Sequence, residues 1–184
     1  DDFAAREVEW LCSIGGIEIK NNMALGAELK IDDLVGCFPA VFLAVGLGGV
    51  NALSVYGDDK GGVEDAVSFI DVLRQAENLT TLPVGRNVVV IGGGMTAVDA
   101  AVQSKLLGAD NVTIAYRRGR DAMSASRYEQ DLAASHGVKL LFNVMPKAIH
   151  GNGSAAEVEL EYTATKDGKL SSTGEAIRLP ADQV

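Results

Sequence analysis

The sequence is poor in the residues that mark disulfide-rich, metal-binding or membrane-spanning proteins. It has two cysteines, two histidines and one tryptophan in 184 residues. Cys12 and Cys37 lie far apart without a CxxC pair, which excludes the usual zinc spacings and favours two buried free thiols in a reducing compartment. The longest apolar run, PAVFLAVGLGGV, is too short and glycine-rich to cross a bilayer. No signal segment is visible in the opening DDFAAREVEW, so we expect a cytoplasmic protein without membrane contact.

Positive charge is also scarce. Lysine and arginine total 16 against 25 acidic residues, which gives a net charge of -9. Nucleic-acid-binding surfaces need a basic face, so we expect no nucleic-acid partner. The composition, 47% hydrophobic and 22% charged, is typical of a globular protein long enough for one good core and a small appendage.

Two kinds of periodicity organise the chain from residue 87 onward. The apolar strands NVVVIG, NVTIAY and VKLLFN are separated by helical patterns, one starting at Met95 and one capped by Ser126 with Glu129. Strand, helix, strand, helix, strand predicts an α/β fold with a Rossmann-like, doubly wound parallel sheet. After Pro146, apolar and polar residues alternate around the KDG turn at 166–168, which predicts an antiparallel β-meander.

The first part of the chain gives a less regular pattern. It predicts a helix to about Cys12, a short strand at 17–21 and a short helix within ELKIDDLVG. The run AVFLAVG predicts a buried strand over 40–46, ended by a glycine-rich loop at 46–49. Apolar residues at helical spacing predict a further helix over Val63–Ala76.

Three consecutive glycines follow the strand NVVVIG. Gly92, Gly94 and Ala97 form G-x-G-x-x-A between a strand and a helix, the context that a dinucleotide-binding turn requires. Gly92 allows the sharp turn, Gly94 leaves no Cβ in the path of a pyrophosphate, and Ala97 keeps the helix close to the strand. The free N–H groups near Met95 and Thr96 then face the phosphates. The alternative is a tight turn without a ligand.

Arginines stand where an acidic residue is common. NAD sites often place Asp or Glu about 20 residues after the glycine turn, where it binds the ribose hydroxyls. No acid lies between Val112 and Arg118. Arg117 and Arg118, with Arg120 close by, suit the 2′-phosphate of NADP through charge-assisted hydrogen bonds. A solvated basic turn or a ribose-side stack is the alternative, so NADH and NADPH both stay open.

The segment VVVIGGGMTAVDAAVQSKLLGADNVTIAYRRGRDAM resembles the pyridine-nucleotide domain of FAD-dependent oxidoreductases of the glutamate synthase small subunit and dihydropyrimidine dehydrogenase type. The resemblance extends upstream through FPAVFLAVG and downstream to LPADQV, and is strongest to the pyrimidine-reducing branch. It implies a fragment of a flavoprotein with two dinucleotide-binding domains. Residues 1–48 would be a remnant of the FAD-binding domain, 49–180 the NAD(P)H-binding domain, and 181–184 the start of the return to the FAD domain. The FAD domain's own glycine fingerprint is then expected upstream of residue 1.

The resemblance also implies which residues contact the cofactors. The tripeptide at 44–46 falls on the family's A-T-G-like sequence, where the chain crosses between the two domains. Two positions depart from the family pattern: Met95 replaces a frequent Asp or Asn, and Ser124 replaces the proline of E-M-P-A. The implied cofactor-binding residues are Gly92, Gly93, Gly94, Met95, Thr96 and Ala97 at the pyrophosphate, Arg117, Arg118 and Arg120 at the adenosine end, and Ala44, Val45 and Gly46 at the crossing.

The family's chemistry implies the function. NAD(P)H would pass a hydride to FAD, and electrons would leave through iron–sulfur clusters outside this chain to a catalytic partner subunit or domain that reduces uracil or thymine. The protein positions the nucleotide, so no catalytic residue and no metal ligand is predicted. Alternatives are a glutamate synthase small subunit, a ferredoxin–NADP-type reductase, and a non-catalytic dinucleotide-binding module. The fragment alone is expected to be inactive.

Overall fold

The computed structural model describes residues 3–46, 52–166 and 168–184. The chain divides into two compact units, Asp1–Gly48 and Gly49–Val184, called here the first and the second unit. The loop predicted at Gly48 and Gly49, and Asp167 of the predicted KDG turn, lie outside the described residues. In the part of the chain that is described, no helix is both long and apolar enough to cross a bilayer.

Between residues 3 and 46, the first unit has two helices and no strand. Helix α1 is Phe3–Ser13 and helix α2 is Ile31–Cys37, which confirms both predicted helices. The strands predicted at 17–21 and 40–46 are wrong, because neither segment is assigned as a strand. A strand needs a neighbour that takes its N–H and C=O groups, and no strand forms among residues 3–46 to provide one.

Most apolar side chains between residues 3 and 46 are exposed. No residue between 3 and 46 is buried, and the exposed fraction is 92% for Phe42 and 65% for Trp10. The predicted burial of 40–46 is therefore wrong. Cys12 and Cys37 are free, as predicted, but Cys12 is half-buried and Cys37 exposed, so their predicted burial is also wrong.

The second unit is built on a parallel sheet. Its strands are β1 Asn87–Ile91, β2 Asn111–Tyr116 and β3 Lys139–Phe142. They lie in the order β1-β2-β3, and each neighbouring pair is parallel. Helix α3, Ala66–Gln75, begins after Asp65 rather than at Val63 as predicted, because the Asp65 carboxylate accepts a hydrogen bond from the Ser68 N–H at 2.8 Å. The capping box of Ser126 and Glu129 is confirmed. Helices α4 and α5 are Met95–Leu106 and Arg127–Ser135.

Both faces of the parallel sheet are covered. Val88 and Val90 pack with α3, α4 and α5 side chains in one core cluster. Val89 and Ala115 point to the other face and pack against the antiparallel strands in a second cluster. Burial on both faces explains the uninterrupted apolar runs in these strands. The α/β class, the Rossmann-like parallel sheet and the meander are confirmed.

The meander consists of β4 Val144–His150, β5 Glu157–Lys166 and β6 Lys169–Pro180, paired antiparallel in that order. Val158 and Leu160 of β5 are fully buried on its inner face. Strand β4 was not predicted, because Pro146 and the irregular register between Pro146 and Ala148 interrupt the alternation that would reveal it.

A charged network lies on the meander around Glu159. Its carboxylate is 3.0 Å from Lys147 Nζ, 3.0 Å from His150 Nε2 and 2.9 Å from Arg178 Nη2. Hydrogen bonds from Lys147, and then from His150, lower the pKa of Glu159 to about 2. The network therefore holds this glutamate ionised.

The last four residues extend the parallel sheet beyond β1. Gln183 pairs parallel with Val88, and the Val89 N–H donates to the Gln183 carbonyl at 2.9 Å. The Gln183 side chain accepts from the Gly85 N–H at 2.8 Å and donates to the Glu64 carboxylate. This segment thus occupies the edge of β1 opposite β2.

Candidate functional site

Two predicted groups of site residues meet at the carboxyl edge of the parallel sheet. Ile91 pairs with Ala115, and the Gly92 N–H donates to the Ala115 carbonyl at 3.1 Å. The glycine turn, residues 92–94, and the arginine segment, residues 117–120, therefore leave neighbouring strands on the same edge. Neighbouring strands lie about 4.8 Å apart, and the carboxyl edge is where open α/β sheets bind ligands.

The three glycines of the turn have different surroundings. Gly92 has φ +151°, and a Cβ there would lie 3.3 Å from the Cβ of Ala97. A Cβ on Gly93 would lie 2.4 Å from ring carbons of Tyr116. A Cβ on Gly94 would meet nothing closer than Ser124 Oγ, at 3.6 Å. The fold itself requires the first two glycines, whereas the third leaves a space that no protein atom fills.

The crowding of Gly93 by Tyr116 was missed at the level of sequence. The Tyr116 hydroxyl donates to the Ala122 carbonyl at 2.5 Å, so both ends of the side chain are fixed. An aromatic residue at the end of the strand after a glycine turn is the signal that could have indicated it.

Helix α4 starts directly at the glycine turn and directs free N–H groups towards the open space. Gly94 is its N-cap without a side-chain hydrogen bond, and the Val98 N–H makes the first bond back, to the Gly94 carbonyl at 3.2 Å. The N–H groups of the first three helical residues, 95–97, therefore have no acceptor within the helix. Such a helix start favours an anionic group.

Arg117 and Arg118 have fixed backbones and free side chains. The Arg117 carbonyl accepts from Thr163 Oγ1 at 2.7 Å, and the Arg118 carbonyl accepts from the Asn143 N–H at 3.2 Å. Both side chains are exposed. Within residues 3–46, 52–166 and 168–184, neither guanidinium has an ion-pair partner. Both can therefore take an anionic ligand without losing an existing pair.

Arg120 differs from these two arginines because its guanidinium is already engaged. Its Nε donates to Gln130 Oε1 at 3.1 Å, and its Nη2 lies 2.7 Å from Asp131 Oδ1. Gln130 is buried and donates to the Ala125 carbonyl at 2.9 Å. Arg120 thus ties the arginine segment to α5, and its predicted contact with a cofactor stays a prediction.

A cavity of about 650 Å³ opens beside the glycine turn, within the second unit. Gly94, Thr96 and Ala97 line it on the α4 side, and Gln183 and Val184 line it beyond β1. Its volume lies in the usual range for small-molecule sites, roughly 300–1,000 Å³. The sequence did not predict the roles of Gln183 and Val184, because they depend on a pairing far along the chain.

The remaining predicted contacts, Ala44, Val45 and Gly46, belong to the first unit. They lie in an exposed, unpaired segment, where Gly46 has φ +68°. Their role at a cofactor stays a prediction. No group of three or more His, Cys, Asp or Glu side chains among the described residues is arranged to hold a metal ion.

A sequence model described as pyridine nucleotide-disulphide oxidoreductase matches residues 6–184. The chain belongs to this family. Pyridine nucleotide-disulphide oxidoreductases bind FAD and NAD(P)H. The resemblance to flavoproteins of the glutamate synthase small subunit and dihydropyrimidine dehydrogenase type is confirmed.

Several oxidoreductases are similar to this chain in sequence. The glutamate synthase [NADPH] small chain of Escherichia coli K12 is 34% identical over 168 residues, covering 86% of this chain and 35% of that protein. The NADPH-Fe(3+) oxidoreductase subunit beta of Geobacter sulfurreducens is 35% identical over 144 residues, covering 78% of this chain and 21% of that protein. The NAD-dependent dihydropyrimidine dehydrogenase subunit PreT of Escherichia coli K12 is 32% identical over 169 residues, covering 90% of this chain and 40% of that protein. The chain therefore spans less than half the length of each of these family members.

Solved structures support the same fold for this pyridine nucleotide-disulphide oxidoreductase chain. Mycobacterium tuberculosis FprA in complex with NADPH aligns with a TM-score of 0.73 over 97% of this chain and 56% of that chain. The sequence identity is 19%, so the likeness concerns the fold alone.

Proposed function

We propose that this chain supplies the NAD(P)H-binding part of an FAD-dependent oxidoreductase. The pyrophosphate would lie over Gly94 and the start of α4, and the adenosine end would lie on Arg117 and Arg118. The observation that carries this proposal is the open side of Gly94, where the nearest atom to an added Cβ is 3.6 Å away. Neither steric crowding nor a positive φ requires glycine at position 94. The close approach of a ligand explains why this position has no side chain.

The nucleotide supplies the hydride, and the chain's own residues hold it in place. The free N–H groups of α4 donate to oxygens of the central pyrophosphate, and the exposed guanidinium groups add charge-assisted hydrogen bonds at the adenosine end. Fixing the centre and one end of a long, flexible nucleotide restricts where the nicotinamide at its opposite end lies. Such positioning is the protein's main contribution to hydride transfer.

We further propose that Arg117 and Arg118 favour NADPH over NADH. Both are exposed and lack an ion-pair partner among the described residues, and no acid precedes them in β2 to bind a ribose 2′-hydroxyl. A hydrogen bond to a charged group contributes a net free energy of about 1.5–3 kcal/mol, and solvent exposure reduces it. Two such contacts therefore give a preference for NADPH over NADH of roughly ten- to hundredfold.

We propose that residues 1–48 belong to the FAD domain, 49–180 form the NAD(P)H domain, and 181–184 begin the return to the FAD domain. The support comes from the first unit, where no described residue is buried although Trp10 and Phe42 are large and apolar. A segment without a core of its own gains stability only from further surface that covers it. Ala44, Val45 and Gly46 would then border the flavin.

For the complete protein, we propose that electrons pass through iron–sulfur clusters outside this chain to a partner subunit that reduces uracil or thymine. The similarity to dihydropyrimidine dehydrogenase subunit PreT supports this acceptor. The similarity to the glutamate synthase small chain, at 34% identity, supports glutamate synthesis as the second candidate. Free Cys12 and Cys37 fit a reducing cytoplasm.

The nucleotide proposal is tested by titrating the chain with NADH and with NADPH at fixed ionic strength, following nicotinamide fluorescence. We expect Gly94→Ala to weaken binding of both nucleotides by more than about tenfold, because the new methyl group occupies the path of the pyrophosphate. The circular dichroism spectrum should stay unchanged, since the methyl group meets no protein atom within 3.6 Å. Gly36→Ala is the matched control, because a Cβ there meets no atom within 4 Å and Gly36 lies in α2 of the first unit rather than in the glycine turn. Unchanged binding in Gly94→Ala would contradict the proposal.

The electron acceptor is tested in the complete protein together with its partner. NAD(P)H oxidation should depend on uracil or thymine if the first candidate is right. Dependence on glutamine and 2-oxoglutarate would favour the glutamate synthase candidate instead. A complete protein that binds the nucleotide but contains no flavin would contradict both.

A further inference from the structure

The segment after the arginines is fastened to the glycine turn by one carbonyl group. The Gly93 carbonyl accepts a hydrogen bond from the Ala125 N–H at 3.0 Å and a second from Ser124 Oγ at 3.1 Å. The ring of Tyr116 packs against Gly93 from the neighbouring strand. The middle peptide of the turn is therefore held both by hydrogen bonds and by contact.

Holding this carbonyl also sets the direction of the next N–H group. In a trans peptide the C=O and the following N–H point to opposite sides of a planar unit. Fixing the Gly93 carbonyl on the side of Ser124 therefore fixes the Gly94 N–H on the other side. Without the side-chain hydrogen bond, the Ala125 N–H alone would hold this carbonyl, and the peptide would tilt more freely because both of its residues are glycine.

We propose that Ser124 is a positioning residue for the pyrophosphate of the bound nucleotide. Its hydroxyl fixes the plane of the Gly93–Gly94 peptide, so that the glycine turn is already in its binding conformation before the ligand arrives. The proposal rests on the function proposed above. It extends the site to a residue on a third stretch of chain, beyond both the glycine turn and the arginine segment.

Ser124 is suited to a test because its side chain has little to do with the core. It is exposed, whereas its neighbours Met123 and Ala125 are buried. Removing its hydroxyl leaves the Ala125 N–H bond to Gly93 in place. Ser126, two residues later, offers the matched control, since its Oγ accepts from the Glu129 N–H at 3.2 Å and caps α5.

The test measures dissociation constants of NADH and NADPH for the purified chain and three variants. We expect Ser124→Ala to weaken both nucleotides by the same factor, about three- to tenfold, which corresponds to one neutral hydrogen bond. Ser124→Thr keeps the hydroxyl and should restore the wild-type constants. The melting temperature should fall less in Ser124→Ala than in Ser126→Ala, because Ser124 Oγ makes one hydrogen bond whereas Ser126 caps α5. Ser126→Ala should lower the melting temperature and leave both constants unchanged.

Three results would overturn the assignment. One is a Ser124→Ala variant that binds both nucleotides like the wild type. Another is a loss confined to NADPH, which would put the hydroxyl at the 2′-phosphate. The third is a failure of Ser124→Thr to restore binding. A wild-type chain that binds neither nucleotide would refute the proposed function itself, and the role of Ser124 with it.

Discussion

The glycine turn and the arginine segment lie on neighbouring strands, yet their residues are constrained in different ways. In the turn, Gly93 is pressed against Tyr116 and Gly92 has a positive φ. In the segment, Arg117 and Arg118 are exposed and have no ion-pair partner among the residues described. Two turn positions are thus required by the fold, whereas these two arginines can be explained only by solvent or by a ligand.

The largest expected effect is on the fold, at the most crowded glycine. Gly93→Ala should lower the free energy of unfolding by about 3 kcal/mol, the upper end of the usual cost of overpacking. The new methyl group would overlap the Tyr116 ring, which its hydrogen bond to Ala122 holds in place. Urea unfolding measures the change. In the Tyr116→Ala background the same substitution should cost much less, and an equal cost in both backgrounds would refute the steric explanation.

The next effect concerns binding alone, at the exposed arginines. Replacing Arg117 and Arg118 together with alanine should weaken NADPH binding roughly ten- to hundredfold more than NADH binding, because only NADPH carries the 2′-phosphate. Unfolding in urea should be unaffected. Arg86→Ala removes one positive charge at the amino end of β1, where Arg86 pairs with Asp110, and serves as the control for a change of charge away from the site. An equal loss for both nucleotides would instead assign these arginines to the ribose or the pyrophosphate.

A smaller effect is expected at Arg120, whose guanidinium already contacts side chains of α5. Arg120→Ala should lower the free energy of unfolding by about 0.5–1 kcal/mol, since it removes one exposed ion pair and one hydrogen bond. The ratio of the NADH and NADPH dissociation constants should not change. A changed ratio would mean that Arg120 leaves Asp131 when the nucleotide binds.

The smallest effect on binding is expected outside both regions, at Glu159. Because its pKa is lowered to about 2 from an ordinary 4.5, Glu159 stabilises the fold fully above pH 4.5, and this stabilisation is lost as the pH falls towards 2. The stability difference between the wild type and Glu159→Gln should therefore shrink over that range, with nucleotide binding near neutral pH unchanged. A difference that is independent of pH would contradict the role of the network.

Sequence patterns predicted the centre of the second unit well, because its strands and helices carry complete local signals. An apolar run, a glycine turn and a helical stripe identify β1, α4 and β2 without knowledge of their neighbours. The wrong strands at 17–21 and 40–46 and the missed β4 share a different cause. Strand formation depends on a partner elsewhere in the chain, and at Pro146 a register irregularity also hides the alternation.

The site was predictable to the same degree. Sequence spacing placed the glycines between a strand and a helix and the arginines after the next strand, where the structure has them, and their contacts with a nucleotide stay a prediction. The sequence could not show that the Arg120 guanidinium is engaged while those of Arg117 and Arg118 have no ion-pair partner among the described residues, because this depends on Gln130 and Asp131 of α5. The aromatic residue at the end of β2 indicates a contact with the glycine turn, but which glycine Tyr116 meets depends on strand register.

The exposed Trp10 in α1 has a spectroscopic consequence. It is the single tryptophan of the chain, and all four tyrosines lie in the second unit. Tryptophan emission therefore reports on the first unit and tyrosine emission on the second, without any added label. Because reduced nicotinamide absorbs where tryptophan emits, NADH bound to the second unit would accept energy from Trp10 with an efficiency that falls steeply with distance. One titration would then report both nucleotide binding and the separation of Trp10 from the bound nicotinamide.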